Sequence, residues 1–483
     1  MDGLKLSHDR IRNVHLLGIG GSGMSGLAAL LSELGFEVSG CDMSHSYYME
    51  KLLARKVECV LGHDPAHLDR YCPDLLIYSS AIPERNEELI EAGRRGIQIA
   101  RRAEVLSSLF NERFGVGIAG THGKTTTSSM TALILDRAGL KPTVAIGGEV
   151  CDIGANARLG AGLPMVAELD ESDGSFELFR TNVSVITNVD WDHVDHYRTR
   201  EEVEKAFNRF LNNRKKDSSI VICGEDPGAA RLIEQNRASG FDGSLMTYGW
   251  GSGWDWGAVD VKHIPGGGVS FNVLQHGRLK GSMTLKVSGE HNVLNALAAC
   301  AASSCMNVPF ETASEALKAF KGAKRRLQYM GSVGEVDLYD DYGHHPREVA
   351  ATLRAVRSIF PGRRIVTLFQ PHRYTRTAAL YSDFADALNH SDRLFLLPIY
   401  AADENPIPGV SSDLIGQAMI EKGAQHVTMC TDIAEAVERI AREARPDDLV
   451  LTLGAGNVNS ACEQLMSRLE QQEPIPDAMA CSA

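Results

Sequence analysis

Short apolar runs recur along the chain, each closed by a glycine-rich turn and followed by a segment whose apolar residues return every three to four positions. That alternation predicts strand, turn and helix in repetition, the pattern of parallel α/β sheets. A strand is predicted over 14–19, then a glycine turn and a helix over 24–34 that stops at Gly35. The next strand covers 37–40, with Asp42 just beyond it, and another covers 75–78 and closes on Ser79 and Ser80. A second block opens with a strand over 115–119. Buried strands over 166–169 and 183–187 follow. Residues 250–276 alternate and are rich in Gly and Trp, which predicts β-hairpins, and 291–305 reads as an Ala-rich helix. A third block begins near Lys324, with strands over 364–369, 393–397 and 449–453; residues 471–483 read as a frayed tail. The expected domains are 1–109, 110–322 and 323–483, within the two to four that 483 residues allow.

Composition narrows the classes. A formal net charge of -13 argues against a general basic surface for nucleic acid. It does not identify a small-molecule substrate. The ten cysteines form no Cys-x-x-Cys pair and no Cys/His cluster with zinc spacing, as expected of reduced thiols. The opening residues lack the charged and apolar regions of a signal peptide, and no apolar run approaches the ~18–20 residues of a membrane span. A cytoplasmic protein is expected, with no membrane or nucleic-acid partner.

Two glycine loops carry the candidate chemistry. Gly18, Gly20, Gly21 and Gly23 sit at a strand end that opens a helix, and Asp42 follows about twenty residues on. Glycines let backbone approach a pyrophosphate, the helix N-terminus favours its charge, and the acidic residue can accept a bond from a ribose hydroxyl. The geometry suits NAD and a nucleotide-sugar diphosphate equally; a tight turn without a ligand is the bland alternative. The second loop runs through Gly120, Thr121, His122, Gly123, Lys124, Thr125 and Thr126. It is a shortened P-loop, since Ile118 stands six before Lys124 where the strict pattern has glycine. Backbone N–H groups would cradle phosphate, Lys124 would neutralise its charge, and the Thr125 hydroxyl would reach Mg²⁺. Together the loops suggest a nucleotide-linked substrate and ATP.

The stretch GTHGKTTT at 120–127 resembles the ATP loop of the Mur ligases. Five further stretches are similar to that family in its own order: GIGGSGMSGLA at 18–28, ELDESDGSF at 168–176, SGEHNVLNALAA at 288–299, DDYGHHP at 340–346 and FQPHRYTRT at 369–377. The last two look most like the alanine-adding members. The resemblance implies three α/β domains: an N-terminal Rossmann-like UDP-binding domain, a central P-loop-type ATP-binding domain and a C-terminal Rossmann-like domain for the amino acid. It implies ligation of L-alanine to UDP-N-acetylmuramate through an acyl phosphate, with ATP and Mg²⁺, by a monomer or homodimer in peptidoglycan precursor synthesis. A related ligase that recycles a murein tripeptide, an NAD-dependent oxidoreductase and a non-catalytic nucleotide switch are the competing readings.

By the same resemblance, Thr125, Glu168 and His193 are the metal candidates, although imidazole is an unusual ligand for Mg²⁺. Ser172, Asp173 and Asn188 fall to the substrate side, with Ser79, Ser80, Asp42 and the first glycine loop. His291, Asn292 and Asn295 would hold the adenine; Asn292 and Asn295, three apart, share a helix face. Arg326 would reach the γ-phosphate and Asp341 the ribose. Tyr342, His344, His345, His372, Arg373 and Arg376 are candidates for the amino-acid site, with His345 and His372 as proton acceptors and Arg373 or Arg376 as the carboxylate clamp. Phe207 and Asn208 stand where some sister ligases carry a carbamylated lysine, so no modified lysine is expected. Trp191 occupies a place where a smaller residue is expected. Chemistry drawn from three blocks implies hinges near 110 and 323.

Overall fold

The computed structural model describes residues 4, 6–193, 196–238, 243–264, 267–402 and 404–471; the tail expected to fray from 472 onward lies outside them. The chain builds three α/β domains, each around its own sheet. The first contains β1 (Asn13–Leu17), α1 (Ser22–Glu33), β2 (Glu37–Asp42), α2 (Tyr47–Ala54), β3 (Glu58–Leu61), α3 (Ala66–Tyr71), β4 (Leu75–Tyr78), α4 (Glu87–Arg94), β5 (Gln98–Arg101) and α5 (Arg102–Asn111). Its five strands are all parallel in the order β3-β2-β1-β4-β5, so the order reverses beside β1 and opens a crevice where the first glycine loop lies.

The second domain begins with β6 (Phe114–Ala119) and α6 (Lys124–Arg137). It continues through β7 (Thr143–Val150), β8 (Ala155–Arg158), β9 (Pro164–Glu168) and β10 (Val183–Ile186). After α7 (Arg200–Asn212), β11 (Ser219–Cys223) and α8 (Pro227–Ala238) come β12 (Ser244–Trp250), β13 (Trp256–His263), β14 (Val269–Gln275) and β15 (Arg278–Leu285). The domain ends with α9 (Glu290–Ser304) and α10 (Phe310–Lys318). Its ten-stranded sheet puts β6 between β10 and β9, and all three run parallel. Loops at the carboxyl ends of these neighbours therefore converge. The hairpin expectation for 250–276 needs correction only at its start, since β13 and β14 follow one another as sheet neighbours within that range. β12 and β13 pair in parallel, with only Tyr248–Trp250 beside Trp256–Ala258, and β14 pairs antiparallel with β15. The tight return depends on Gly257, where a Cβ would lie 1.8 Å from the Gly251 carbonyl. Phe207 is a core ring against Phe176, and the Trp191 indole N–H donates to the Tyr197 carbonyl at 3.0 Å, which settles that large residue in its segment.

The third domain holds β16 (Gln328–Val333), β17 (Val336–Asp341), α11 (Pro346–Ile359), β18 (Ile365–Phe369), α12 (Tyr374–Leu388), β19 (Arg393–Leu396), α13 (Asp413–Glu421), β20 (Val427–Met429), α14 (Ile433–Glu443), β21 (Leu449–Leu453) and α15 (Ser460–Glu470). Its sheet runs β16-β17-β21-β18-β19-β20, parallel except for the β16–β17 hairpin.

By compactness the chain divides into two units. One comprises Met1–Trp191, His196–Lys262 and Val269–Ala323; the other comprises Asp192–Asp195, His263–Gly268 and Lys324–Ala483. The first two domains thus share a unit, and the position near 110, where a hinge is expected from sequence, lies inside it. Within that unit Asn156 donates to the Ser22 carbonyl and to Ser25 Oγ, Glu33 accepts from Leu159 N at 2.8 Å, and Lys51 pairs with Glu149 at 2.9 Å. No helix among the described residues is long and apolar enough to cross a membrane.

Candidate active site

In the first domain β1 ends at Leu17 because Gly18 turns at φ +79, and its N–H donates to the Cys41 carbonyl at 2.8 Å. Gly20 N donates to Asp42 Oδ2 at 2.9 Å, while Ser46 Oγ donates to the Gly20 carbonyl at 2.8 Å. A Cβ on Gly20 would stand 2.9 Å from both side chains, so the loop closes only around glycine. Asp42 is therefore tied to the loop as well as placed at its mouth. The N-terminus of α1 has no side-chain cap, and a Cβ on Gly23 would approach Arg102 Nη1 to 3.1 Å. Exposed helix N–H groups beside a guanidinium suit an anion. Sequence reading missed Arg102 because it lies some eighty residues away and carries no motif. Ser79 sits across from Gly18, its Cβ 3.3 Å from where a Gly18 Cβ would be, and Ser80 follows on the exposed side.

The phosphate loop is built from β6 and α6. Gly120 turns at φ +131 and Gly123 at φ +81. A Cβ on Gly120 would meet Thr187 Oγ1 at 2.1 Å, and one on Gly123 would meet Asn295 Oδ1 at 2.6 Å. Thr187 and Asn188, at the end of β10, hold the loop backbone. Asn188 Oδ1 accepts from His122 N at 2.8 Å, Asn188 Nδ2 donates to His122 O at 2.9 Å, and Thr187 Oγ1 donates to His122 O at 2.6 Å. Thr121 Oγ1 accepts from Asp190 N at 2.9 Å. Asn188, expected on the substrate side, thus acts on the loop itself with both amide atoms.

Lys124 Nζ donates to Glu171 Oε2 at 2.8 Å and to the Thr121 carbonyl at 3.3 Å. Burial disfavours the ammonium, but Glu171, Asp170 and Glu168 outweigh that and raise its pKa above the ordinary lysine value. Thr125 Oγ1 donates to Glu168 Oε1 at 3.0 Å, and Glu168 Oε2 accepts from Gly147 N at 2.7 Å. Thr125 and Glu168 together offer the hydroxyl and carboxylate oxygens that a magnesium ion prefers. Ser172 and Asp173 form local turns: Ser172 donates to Asp170 Oδ2 at 2.9 Å, and Asp173 Oδ1 accepts from Ser175 N at 3.0 Å. Asn295 Oδ1 accepts from Thr127 Oγ1 at 3.2 Å and its amide donates to Asn292 Oδ1 at 3.1 Å, so the α9 amides brace the start of α6. His291 lies in the first turn of the same helix. Thr126 is buried within the first turn of α6.

The other unit gathers the remaining candidates at the carboxyl ends of β17 and β18. Asp341 is buried. Oδ2 accepts from Leu327 N at 2.7 Å, and Oδ1 accepts from Gly343 N at 2.8 Å and Thr352 Oγ1 at 3.2 Å. Burial raises its pKa, against the pull of Arg326 and those N–H groups. Here the carboxylate organises its own turn. The Tyr342 ring has the Arg325 and Arg326 guanidinium carbons 5.0 and 5.7 Å from its centre, a cation–π pair that orients Arg326. His345 caps α11: its Nδ1 accepts from Arg347 N at 3.4 Å, and Glu348 completes the capping box. That commits the Nδ1 lone pair of one expected proton acceptor to the backbone.

His344 and His372 meet edge to face at 5.7 Å, and His372 stacks on Tyr400. Burial lowers both, His344 to about 4 and His372 to about 3, with Arg376 and Arg373 adding to the effect on His372. Neutral imidazoles accept hydrogen bonds near neutral pH. Of the two arginines, Arg376 is buried and forks onto Asp192, with Nε to Oδ1 at 2.9 Å and a terminal nitrogen to Oδ2 at 3.1 Å. Arg373, the N-cap of α12 at φ +72, stays a third exposed beside Glu404. His193 lies next to Asp192, its backbone N–H donating to Asp192 Oδ1 at 2.7 Å.

Two glycine loops at strand–helix junctions, one with a buried lysine and a hydroxyl–carboxylate pair beside it, on three α/β domains, define the architecture of a nucleotide-using enzyme. The sequence model described as Mur ligase family, catalytic domain, matches residues 13–114. The Mur ligase middle domain matches 118–303, and the Mur ligase, glutamate ligase domain, matches 325–456. The chain belongs to the Mur ligase family. Among its relatives, the UDP-N-acetylmuramate–L-alanine ligase of Desulforamulus reducens is 43% identical over 463 residues, covering 95% of this chain and 98% of that protein. The protein of the same name from Sorangium cellulosum is 43% identical over 470 residues, covering 96% of this chain and 98% of that protein. The crystal structure of UDP-N-acetylmuramate–alanine ligase from Thermotoga maritima matches with a TM-score of 0.80 at 26% identity, covering 96% of this chain and 100% of that one.

Proposed function

We infer that the chain joins L-alanine to UDP-N-acetylmuramate, driven by ATP. The observation that carries the reading is the phosphate loop with Lys124 held at its centre, in a chain 43% identical along nearly its whole length to ligases of that name. In this reading the muramate carboxylate attacks the γ-phosphorus of ATP, ADP departs, and the acyl phosphate accepts the alanine amine. One proton leaves the amine and inorganic phosphate leaves the acyl carbon. Gly120–Lys124 backbone and the Lys124 ammonium hold the phosphates, and Arg326 adds charge to the transferring group. The first glycine loop, Asp42 and Arg102 take the UDP pyrophosphate and ribose.

Thr125 and Glu168 are the residues of the first unit that would hold Mg²⁺, with His193 proposed as a further ligand; bound magnesium would screen the phosphate charge. Asn292, Asn295, His291 and Asp341 are proposed to border the adenosine. For the amino acid, Arg373 is the better carboxylate clamp, since Arg376 is occupied by Asp192. His372 and His344, held neutral, would orient the amine as hydrogen-bond acceptors. Ser79, Ser80, Ser172 and Asp173 are proposed along the nucleotide sugar, with Tyr342 near the amino acid.

The test is phosphate release from ATP and Mg²⁺ with UDP-N-acetylmuramate, adding L-alanine, glycine, L-serine or murein tripeptide separately. Release that needs the nucleotide sugar and is fastest with alanine supports the reading. Release fastest with tripeptide moves the chain to the recycling activity, and release with no amine dependence removes the ligase reading.

A further inference from the structure

A second cluster lies in the first domain, on the opposite face of the sheet from α1. His15 in β1, Cys41 in β2, His67 in α3 and Glu88 in α4 bring one ligand atom each to within 4.8 Å of one another. His15, Cys41 and Glu88 are fully buried, and the His67 side chain is 13% exposed. Two separations match the edge of a tetrahedral zinc site, roughly 3.3–3.8 Å from ordinary zinc bond lengths. Cys41 Sγ is 3.4 Å from Glu88 Oε2, and His67 Nδ1 is 3.3 Å from the same oxygen.

The hydrogen bonding around His15 is informative. Ser39 Oγ stands 2.8 Å from His15 Nδ1 and 3.4 Å from the Val14 carbonyl, so the hydroxyl can donate to that carbonyl while accepting from an Nδ1 proton, a tautomer that leaves Nε2 bare. Nε2 then carries a lone pair, and it faces Glu88 Oε1 at 3.0 Å, without alignment as a hydrogen bond and with both atoms buried. Opposed to the Glu88 carboxylate in a dry interior, that nitrogen calls for a cation, supplied either by a proton on the imidazole or by a metal ion. A second N–H held by a hydroxyl is also how ligating histidines are oriented.

We propose that His15 Nε2, Cys41 Sγ, His67 Nδ1 and Glu88 bind a divalent, thiolate-accepting metal ion of the zinc class. Binding would release the Cys41 thiol proton and neutralise the buried Glu88 charge. The site would pin α3 and α4 to the sheet. It would also stiffen the first glycine loop, because Gly18 N and Ile19 N both donate to the Cys41 carbonyl. The role is structural and independent of the ligase reading.

The experiment uses the full chain, stripped with chelator, dialysed and titrated with Co²⁺, then with Zn²⁺. Wild type is expected to give tetrahedral cobalt absorption with a thiolate-to-cobalt charge-transfer band, displaced by one equivalent of Zn²⁺, and a higher Tm with Zn²⁺. Cys41→Ser is expected to lose the sulfur band. His67→Ala keeps the thiol and is partly exposed, and it should weaken cobalt binding at least about tenfold. Cobalt at an oxygen-donor site such as Thr125–Glu168 gives no sulfur band, so the two sites are distinguishable. Absence of a sulfur band in folded wild type, or an undiminished band in Cys41→Ser, overturns the proposal.

Discussion

Lys124 and Glu171 form a buried ion pair, Nζ to Oε2 at 2.8 Å, with side chains 12% and 2% exposed. The lysine proposed to meet phosphate is held charged by a carboxylate buried beside it. Glu171→Gln removes one partner of this pair and is expected to cost about 3–5 kcal/mol of stability. Adding an ATP analogue should return part of it, because phosphate replaces the lost charge. A thermal melt with and without analogue checks this: the ligand-induced rise in Tm should be larger in the variant than in wild type.

Lys124→Met leaves the loop backbone in place but removes its cation. Phosphate release is expected to fall at least about 100-fold, the scale of a lost charge contact in a transition state. Gly120→Ala should be at least as damaging for another reason, since φ +131 and Thr187 at 2.1 Å leave no room for a methyl. Retained nucleotide affinity in Gly120→Ala would count against the loop geometry.

The two third-domain arginines should separate by assay. Arg373→Ala is expected to raise the KM for alanine tenfold or more, on the order of a lost charge-assisted pair, with an unchanged melt. Arg376→Ala strands buried Asp192 and should lower stability by about 3–5 kcal/mol. Adding Asp192→Asn to Arg376→Ala should recover part of that loss. The comparison requires kinetics and urea unfolding on the same preparations.

Acid sensitivity follows from His344 and His372. Their folded pKa values, about 4 and about 3, lie below the ordinary 6.5, so the unfolded chain binds more protons between those limits. Stability from these residues is complete above pH 6.5 and declines as pH falls, towards about 4 for His344 and about 3 for His372. Asp192, held well below the usual carboxylate range against burial by Arg376, adds its loss only below about 3.8. The His344→Gln, His372→Gln double variant should flatten the decline between pH 6.5 and 4; an unchanged slope in urea midpoints contradicts the assignment.

Glu168→Gln keeps the hydrogen bonds to Thr125 and Gly147 in reach but removes a charged oxygen. The Mg²⁺ concentration for half-maximal phosphate release is expected to rise about tenfold, since a neutral amide is a weaker ligand for a hard cation. An unaltered requirement would move the metal away from this residue.

The sequence by itself determined the alternation of strand and helix, the two glycine loops at strand ends, and the lysine and threonines that open α6. These depend on local patterning and on glycine's access to positive φ, and both are written in short windows. It also marked Asp42, as the acidic residue about twenty positions after the first glycine loop, and, through the resemblance to the Mur ligases, Glu168 at the end of an apolar strand. Only the tertiary structure decided what distant side chains do. It gave Asn188 to the phosphate-loop backbone, paired Lys124 with Glu171, spent Arg376 on Asp192 and the His345 lone pair on a helix cap, and set β12 parallel to β13. Hydrogen-bond partners are chosen by proximity after packing, across separations of 66 residues for His122 and Asn188 and 184 for Asp192 and Arg376. No residue type or spacing encodes which of several polar groups will be buried together. Burial then fixes their charge and fills their lone pairs.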